Sequence, residues 1–172
     1  MVREDKTRIS KFLKVEPECV NKLNQLNPAL VSTALDIYYR ARQACIPMHI
    51  MWTRRTEEEQ RILYQFGRTI PPMGIITTRK PGFSPHNYGL AIDFCFKKKD
   101  KLITYEQAYK RRMYKEWWMA IVKEFMNAGW NAGMYDREFQ PGHVENLLGK
   151  SIVEHRNAAQ SKKTYIEGFG FV

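Results

Sequence analysis

Between residues 28 and 45 the apolar positions Leu30, Ala34, Ile37 and Ala41 recur every three or four residues, which lines them along one helical face. The pattern predicts a helix over Pro28–Cys45, with Asn27 as its cap and Pro28 in its first turn. Similar spacing predicts a shorter helix over Glu16–Leu26, after an irregular arm of residues 1–14. Ile46–Trp52 is an apolar run of strand length. Thr53 or Thr56 then caps a helix from about Glu57 to Phe66, which Gly67 ends. Pro71–Phe83 reads as a loop, and Gly89–Phe96 as a buried strand bounded by turn signals. Lys97–Tyr109 is a polar, basic excursion. The strongest amphipathic helix is Tyr114–Asn127, with Trp117, Trp118, Ile121, Val122 and Phe125 on its apolar side. Gly129–Met134 reads as a short strand or turn, Ser151–Ala159 as a short helix, and Tyr165–Val172 as an added edge strand. Together these elements predict an α+β fold, a small, mainly antiparallel sheet with helices packed against it, as one domain over residues 1–172.

Composition narrows the picture. A chain of 172 residues can bury a sizeable core. No run of about twenty apolar residues exists, so no membrane span is expected. The start, Met1-Val2-Arg3-Glu4-Asp5-Lys6, lacks an apolar signal core, and the expectation is synthesis in a cytoplasm without a signal peptide. Three cysteines without CxxC spacing fit a reducing compartment. The formal charge of +10 calls for an anionic partner. The basic residues are scattered and no nucleic-acid-binding motif accompanies them, so anionic cell-surface polymers suit the charge better than specific nucleic acid. Nothing after Gly149 has room for a second module, and a monomer is expected.

Chemistry concentrates in Ser84-Pro85-His86-Asn87-Tyr88-Gly89-Leu90-Ala91-Ile92-Asp93. His86 lies in a turn-prone run and Asp93 inside an apolar strand, where a bare carboxylate is costly unless paired or metal-bound. His143, in the turn Pro141-Gly142, supplies a third ligand type. A catalytic zinc keeps three protein ligands and an open position, and His86, Asp93 and His143 make such a set. A satisfied core carboxylate beside a turn histidine explains His86 and Asp93 equally well. Of the other histidines, His49 reads as core or as support for a ligand, and His155 as solvated. Cys95 shares Asp93's strand face but reads as a small buried hydrophobe. Glu145, two past His143, reads as a group that orients a ligand. Trp130 and Tyr135 are placed along the cleft.

The run Ser84-x-His86-x-x-Gly89-x-Ala91-x-Asp93, followed by Gly142-His143-Val144-Glu145, resembles the zinc peptidases that cut peptidoglycan stem peptides. These are the D-alanyl-D-alanine carboxypeptidases and the L-alanyl-D-glutamate endopeptidases found among phage endolysins. The resemblance also takes in Arg55-Thr56, Gln60, Leu63-Tyr64, Gly67-Arg68-Thr69 and Ile75-Ile76-Thr77-Thr78, so the motif-bearing core spans about residues 46–147. It implies zinc held by His86, Asp93 and His143 on the open sheet face, and a stem-peptide substrate met by Arg55, Ser84 and Gln60. It also implies an endolysin that waits in the host cytoplasm until release to the wall. The compact, leaderless, basic chain favours the L-alanyl-D-glutamate bond over carboxypeptidase action.

One position departs from that family. Its general base is a glutamate or aspartate three residues before the last metal histidine, and here that residue is Gln140. A carboxamide cannot take a proton from water at neutral pH. Three accounts are open: a glutamate-to-glutamine change made to stop turnover, a natural non-catalytic binder, or a base supplied by Glu138 or Glu145. The intact remainder of the motif favours the first, and the expectation is a chain that binds metal and substrate but turns over slowly or not at all.

Overall fold

The first two helices are α1 (Pro17–Leu23) and α2 (Pro28–Gln43) in the computed structural model, which describes residues 14–71, 74–133 and 141–168. Asn27 caps α2 by accepting from the Ala29 N–H at 3.1 Å, and the predicted stripe of Leu30, Ala34, Ile37 and Ala41 is buried. Strand β1 (Met48–Trp52) leads to α3 (Glu57–Gln65). Thr56, not Thr53, caps α3 through a reciprocal pair with Glu59. A 3₁₀ turn (Pro85–Tyr88) then enters β2 (Ala91–Lys98), the longest strand.

The predicted excursion at Lys97–Tyr109 is instead structured. β2 runs on to Lys98, turns at Lys99-Asp100 into β3 (Lys101–Ile103), and is followed by α4 (Tyr105–Tyr109). The turn residue Lys99 adopts φ 55°, and without the usual asparagine or glycine there the hairpin leaves no clear mark in the sequence. Helix α5 (Arg112–Asn127), strands β4 (Asn131–Ala132) and β5 (His143–Glu145), and α6 (Ile152–Gly168) complete the order. The expected edge strand at Tyr165–Val172 is overturned as far as Gly168, which ends a seventeen-residue helix. That helix starts from a reciprocal Ser151–Glu154 cap. Residues 169–172 lie outside the described residues, as does most of the expected irregular arm.

The sheet runs β1-β2-β5-β4, with β3 on the far end of β2, and every pairing is antiparallel. Directly opposed residues share a face. One face carries Met48, Ile50, Ile92, Phe94, Phe96 and Val144 into the core, where Phe94 and Phe96 meet Trp118 of α5 at ring separations of 5.0 and 5.1 Å. The other face carries His49 opposite Cys95 and Asp93 opposite His143. The α+β fold with the candidate metal residues on the sheet face is thus as expected. Among the described residues no helix is long and apolar enough to cross a membrane.

Candidate metal centre and cleft

Three chain segments bring His86, Asp93 and His143 together. His86 sits in the 3₁₀ turn, which ends at Gly89 in the left-handed region (φ 66°). A side chain at Gly89 would come within 2.8 Å of the Asn27 backbone nitrogen, which donates to the Gly89 carbonyl. The α1–α2 junction therefore presses on this turn, and only glycine allows both the conformation and the approach. Asp93 lies in β2 beside His143 of β5. Gly142 lets β5 close on β2, because a Cβ there would meet the Phe94 carbonyl at 2.7 Å. The Trp118 indole N–H donates to the Pro141 carbonyl at 2.5 Å, so α5 also fixes the approach to His143.

Asp93 joins the two imidazoles. Its Oδ2 lies 3.2 Å from His86 Nε2 and its Oδ1 2.9 Å from His143 Nδ1. The His86 ring is oriented by donating Nδ1–H to the Thr53 carbonyl at 2.6 Å, which turns Nε2 toward Asp93. His143 Nε2 lies 3.1 Å from Glu145 Oε2. Both nitrogens of His143 thus face carboxylates. Burial disfavours its charge, yet Asp93 and Glu145 outweigh burial and raise its pKa to about 9. Burial likewise pushes the Asp93 carboxyl up, but the two histidines hold it well below the usual carboxylate range.

The donor set fits a divalent ion. One atom from each of His86, Asp93 and His143 lies within 4.8 Å of the others. An ion in place of the His143 Nδ1 proton would leave Nε2–H to Glu145, the carboxylate–histidine support common in metal sites.

Arg55 flanks this group, with Nη2 3.9 Å from Asp93 Oδ2 and the guanidinium 5.8 Å from the Trp52 ring. Its Nη1 donates to Gln60 Oε1 at 2.8 Å. Gln60 is fully buried and donates to the Arg79 carbonyl at 2.7 Å, so it supports Arg55 and does not face the cleft as a substrate contact. Ser84 is almost buried, lines the cleft, and donates its backbone N–H to Asn87 Oδ1. The cleft, about 800 Å³, is lined by the candidate metal group and by the exposed apolar side chains Trp52, Ile62, Ile75 and Ile76.

Several expectations change. Trp130 is core, 3% exposed and packed edge-on against Phe125, because α5 ends just before it. His155 is only partly exposed: it stacks on Tyr88 and its Nε2 donates to the Leu147 carbonyl at 2.9 Å. Gln140, Glu138 and Tyr135 lie outside the described residues. The Thr53 carbonyl was missed, and a backbone acceptor leaves no signal in residue type.

The sequence profile of the D-alanyl-D-alanine carboxypeptidase family matches residues 77–145, the segment that holds all three metal candidates. Over 111 residues the chain is 33% identical to the peptidoglycan L-alanyl-D-glutamate endopeptidase CwlK of Bacillus subtilis (strain 168). That match covers 64% of this chain and 66% of CwlK, so the chain spans just under two thirds of that relative's length. Among solved structures, the L-Ala D-Glu endopeptidase ChiX of Serratia marcescens matches at 16% identity and a TM-score of 0.49, over 74% of this chain and 84% of ChiX. The LD-carboxypeptidase LdcB matches at 20% identity and a TM-score of 0.47, over 78% of this chain and 71% of LdcB.

Proposed function

We propose that this chain, which belongs to the superfamily of D-alanyl-D-alanine carboxypeptidases and L-alanyl-D-glutamate endopeptidases, is a zinc-dependent hydrolase of peptidoglycan stem peptides, slowed or inactivated here by Gln140. One observation carries the reading: the imidazole–carboxylate–imidazole group of His86, Asp93 and His143 opens on a cleft large enough for a short peptide. The bond proposed is that between L-alanine and D-glutamate, as named for CwlK. D-alanyl-D-alanine carboxypeptidase action is the alternative. Action as a phage endolysin and attraction to anionic wall polymers belong to the same proposal, the latter from the net charge of +10.

His86 Nε2, Asp93 and His143 Nδ1 would hold the ion, which supplies Lewis acidity toward a carbonyl when bound. Glu145 and the Thr53 carbonyl hold the two rings at fixed angles. Gln60 occupies one arm of the Arg55 fork and Asp93 draws the other, which holds the guanidinium at the cleft for a substrate carbonyl oxygen. A peptide hydrolase also needs a group that takes a proton from water and returns it to the leaving amine, and Gln140 can do neither.

Restoring a carboxylate tests the reading. Gln140→Glu is expected to release stem peptides from purified peptidoglycan about 10²-fold faster than the chain as written. Mass spectrometry of the products identifies the bond. Equal, high activity of the two proteins would place the base elsewhere. Wall binding without cleavage in both would favour a second reading, a non-catalytic wall binder, for which Gln140 itself is the argument.

A further inference from the structure

We infer that Glu16, Cys19 and His49 form a second divalent-metal site, of carboxylate, thiolate and imidazole donors, that ties α1 to β1. It shares no residue with the His86 group. Glu16 is the N-cap residue of α1, Cys19 lies in its first turn, and His49 is in β1. Glu16 Oε2 lies 2.7 Å from His49 Nδ1 and 3.7 Å from Cys19 Sγ, and the sulfur lies 3.4 Å from the same nitrogen. Three lone-pair atoms from two elements thus converge on one point.

Hydrogen bonds serve this arrangement only in part. His49 Nδ1 carries either one proton or one lone pair, yet it faces both an oxygen and a sulfur. A single cation would serve all three atoms. The donors are those of zinc or cobalt, whereas magnesium and calcium favour all-oxygen sets. The sulfur already accepts the Ile50 N–H at 3.3 Å, a contact that favours thiolate. Burial raises the Cys19 pKa, so without metal it is a thiol, and binding would release its proton.

The surrounding charges leave room for an ion. Arg42 approaches the other Glu16 oxygen, Oε1, at 3.7 Å. Lys97 lies 3.7 Å from Oε2 but keeps 29% of its side chain exposed, so it can withdraw into solvent. Lys22, on α1, is paired with Glu18 and the Ile50 carbonyl. Glu16 is itself 21% exposed and offers a path for the ion and a water in the fourth position. His49 pairs with Cys95, two residues from Asp93, so the site braces the strand pair that carries the main centre.

Cobalt(II) titration of metal-free protein distinguishes the two sites, because His86, Asp93 and His143 contain no sulfur. A thiolate-to-cobalt charge-transfer band therefore reports only the second site. The chain as written should bind about two ions and His86→Ala about one, both with the band. Cys19→Ser should lose the band, whereas Cys45→Ser and Cys95→Ser should keep it. Absence of the band in the chain as written and in His86→Ala at saturating cobalt would overturn the inference, whether or not Cys19→Ser folds. So would a band that persists in folded Cys19→Ser. Neither outcome depends on peptidase activity.

Discussion

Gln60 shows how a residue outside the reacting group decides its geometry. Its side chain has no exposed surface, accepts from Arg55 Nη1 and donates to the Arg79 carbonyl. Gln60→Leu keeps the volume roughly constant but leaves a half-buried guanidinium and a carbonyl without their partner. The cost should be about 1–3 kcal/mol of stability, read by urea denaturation, with a loss of stem-peptide turnover in the Gln140→Glu background. A fall in stability below about 0.5 kcal/mol would mean that water replaces the amide. The candidate metal residues were legible because each lies at a fixed offset from glycines and turns. His86, Asp93 and His143 lie together at the sheet face, and Glu145 Oε2 reaches His143 Nε2. Gln60 was legible as near the site but not as a bracket for Arg55, since its partners lie 5 and 19 residues away on different elements. The grouping of Glu16, Cys19 and His49 was invisible for the same reason: residues 16 and 49 are 33 apart, with two helices in between.

Elements with a strong period were legible almost to the residue, as α2, α3 and α5 show. Elements set by pairing were not. β3 exists because its backbone completes the end of β2, and three residues carry too little pattern to reveal that. α6 runs past its expected end because its cap and length outweigh a weakly polar composition. The α3 cap gives a test at this scale. Thr56 Oγ1 accepts from Glu59 N–H, and Glu59 accepts from the Thr56 N–H. Thr56→Ala should cost about 1 kcal/mol in thermal or urea unfolding. The Thr56 N–H is also the main cause that lowers the Glu59 pKa. A carboxylate whose folded pKa is lowered adds stability above its ordinary value and loses it as pH falls through the folded value. The stability difference between the chain and Glu59→Gln should therefore be full at pH 7 and vanish in acid. A difference independent of pH would show that the charge plays no part.

At the scale of the whole molecule, His86, Asp93 and His143 bring three chain segments together at the sheet face. The His86 turn rests on the α1–α2 junction, Asp93 belongs to the central strand, and the turn that leads into His143 is held by Trp118 through the Pro141 carbonyl. Without metal, the His143 imidazolium bridges Asp93 and Glu145, so the metal-free protein should stay folded at neutral pH. An ion held by this folded arrangement and not by the unfolded chain would add stability by mass action. At zinc concentrations 100-fold above the dissociation constant the gain is about 2.7 kcal/mol. For a chain of this size each kcal/mol raises Tm by roughly 2–4 °C, which gives a rise of about 5–11 °C over chelator-treated protein. The measurement belongs in the Cys19→Ser background, so that a second ion cannot contribute. Adding His86→Ala there should remove most of the rise, because two ligands on neighbouring strands no longer reach across to the turn. If the rise survives the loss of His86, the ion sits elsewhere. The turn then owes its position to Gly89 and to its hydrogen bonds with Thr53, Arg55 and Thr56, and the cleft loses the group around which it is built.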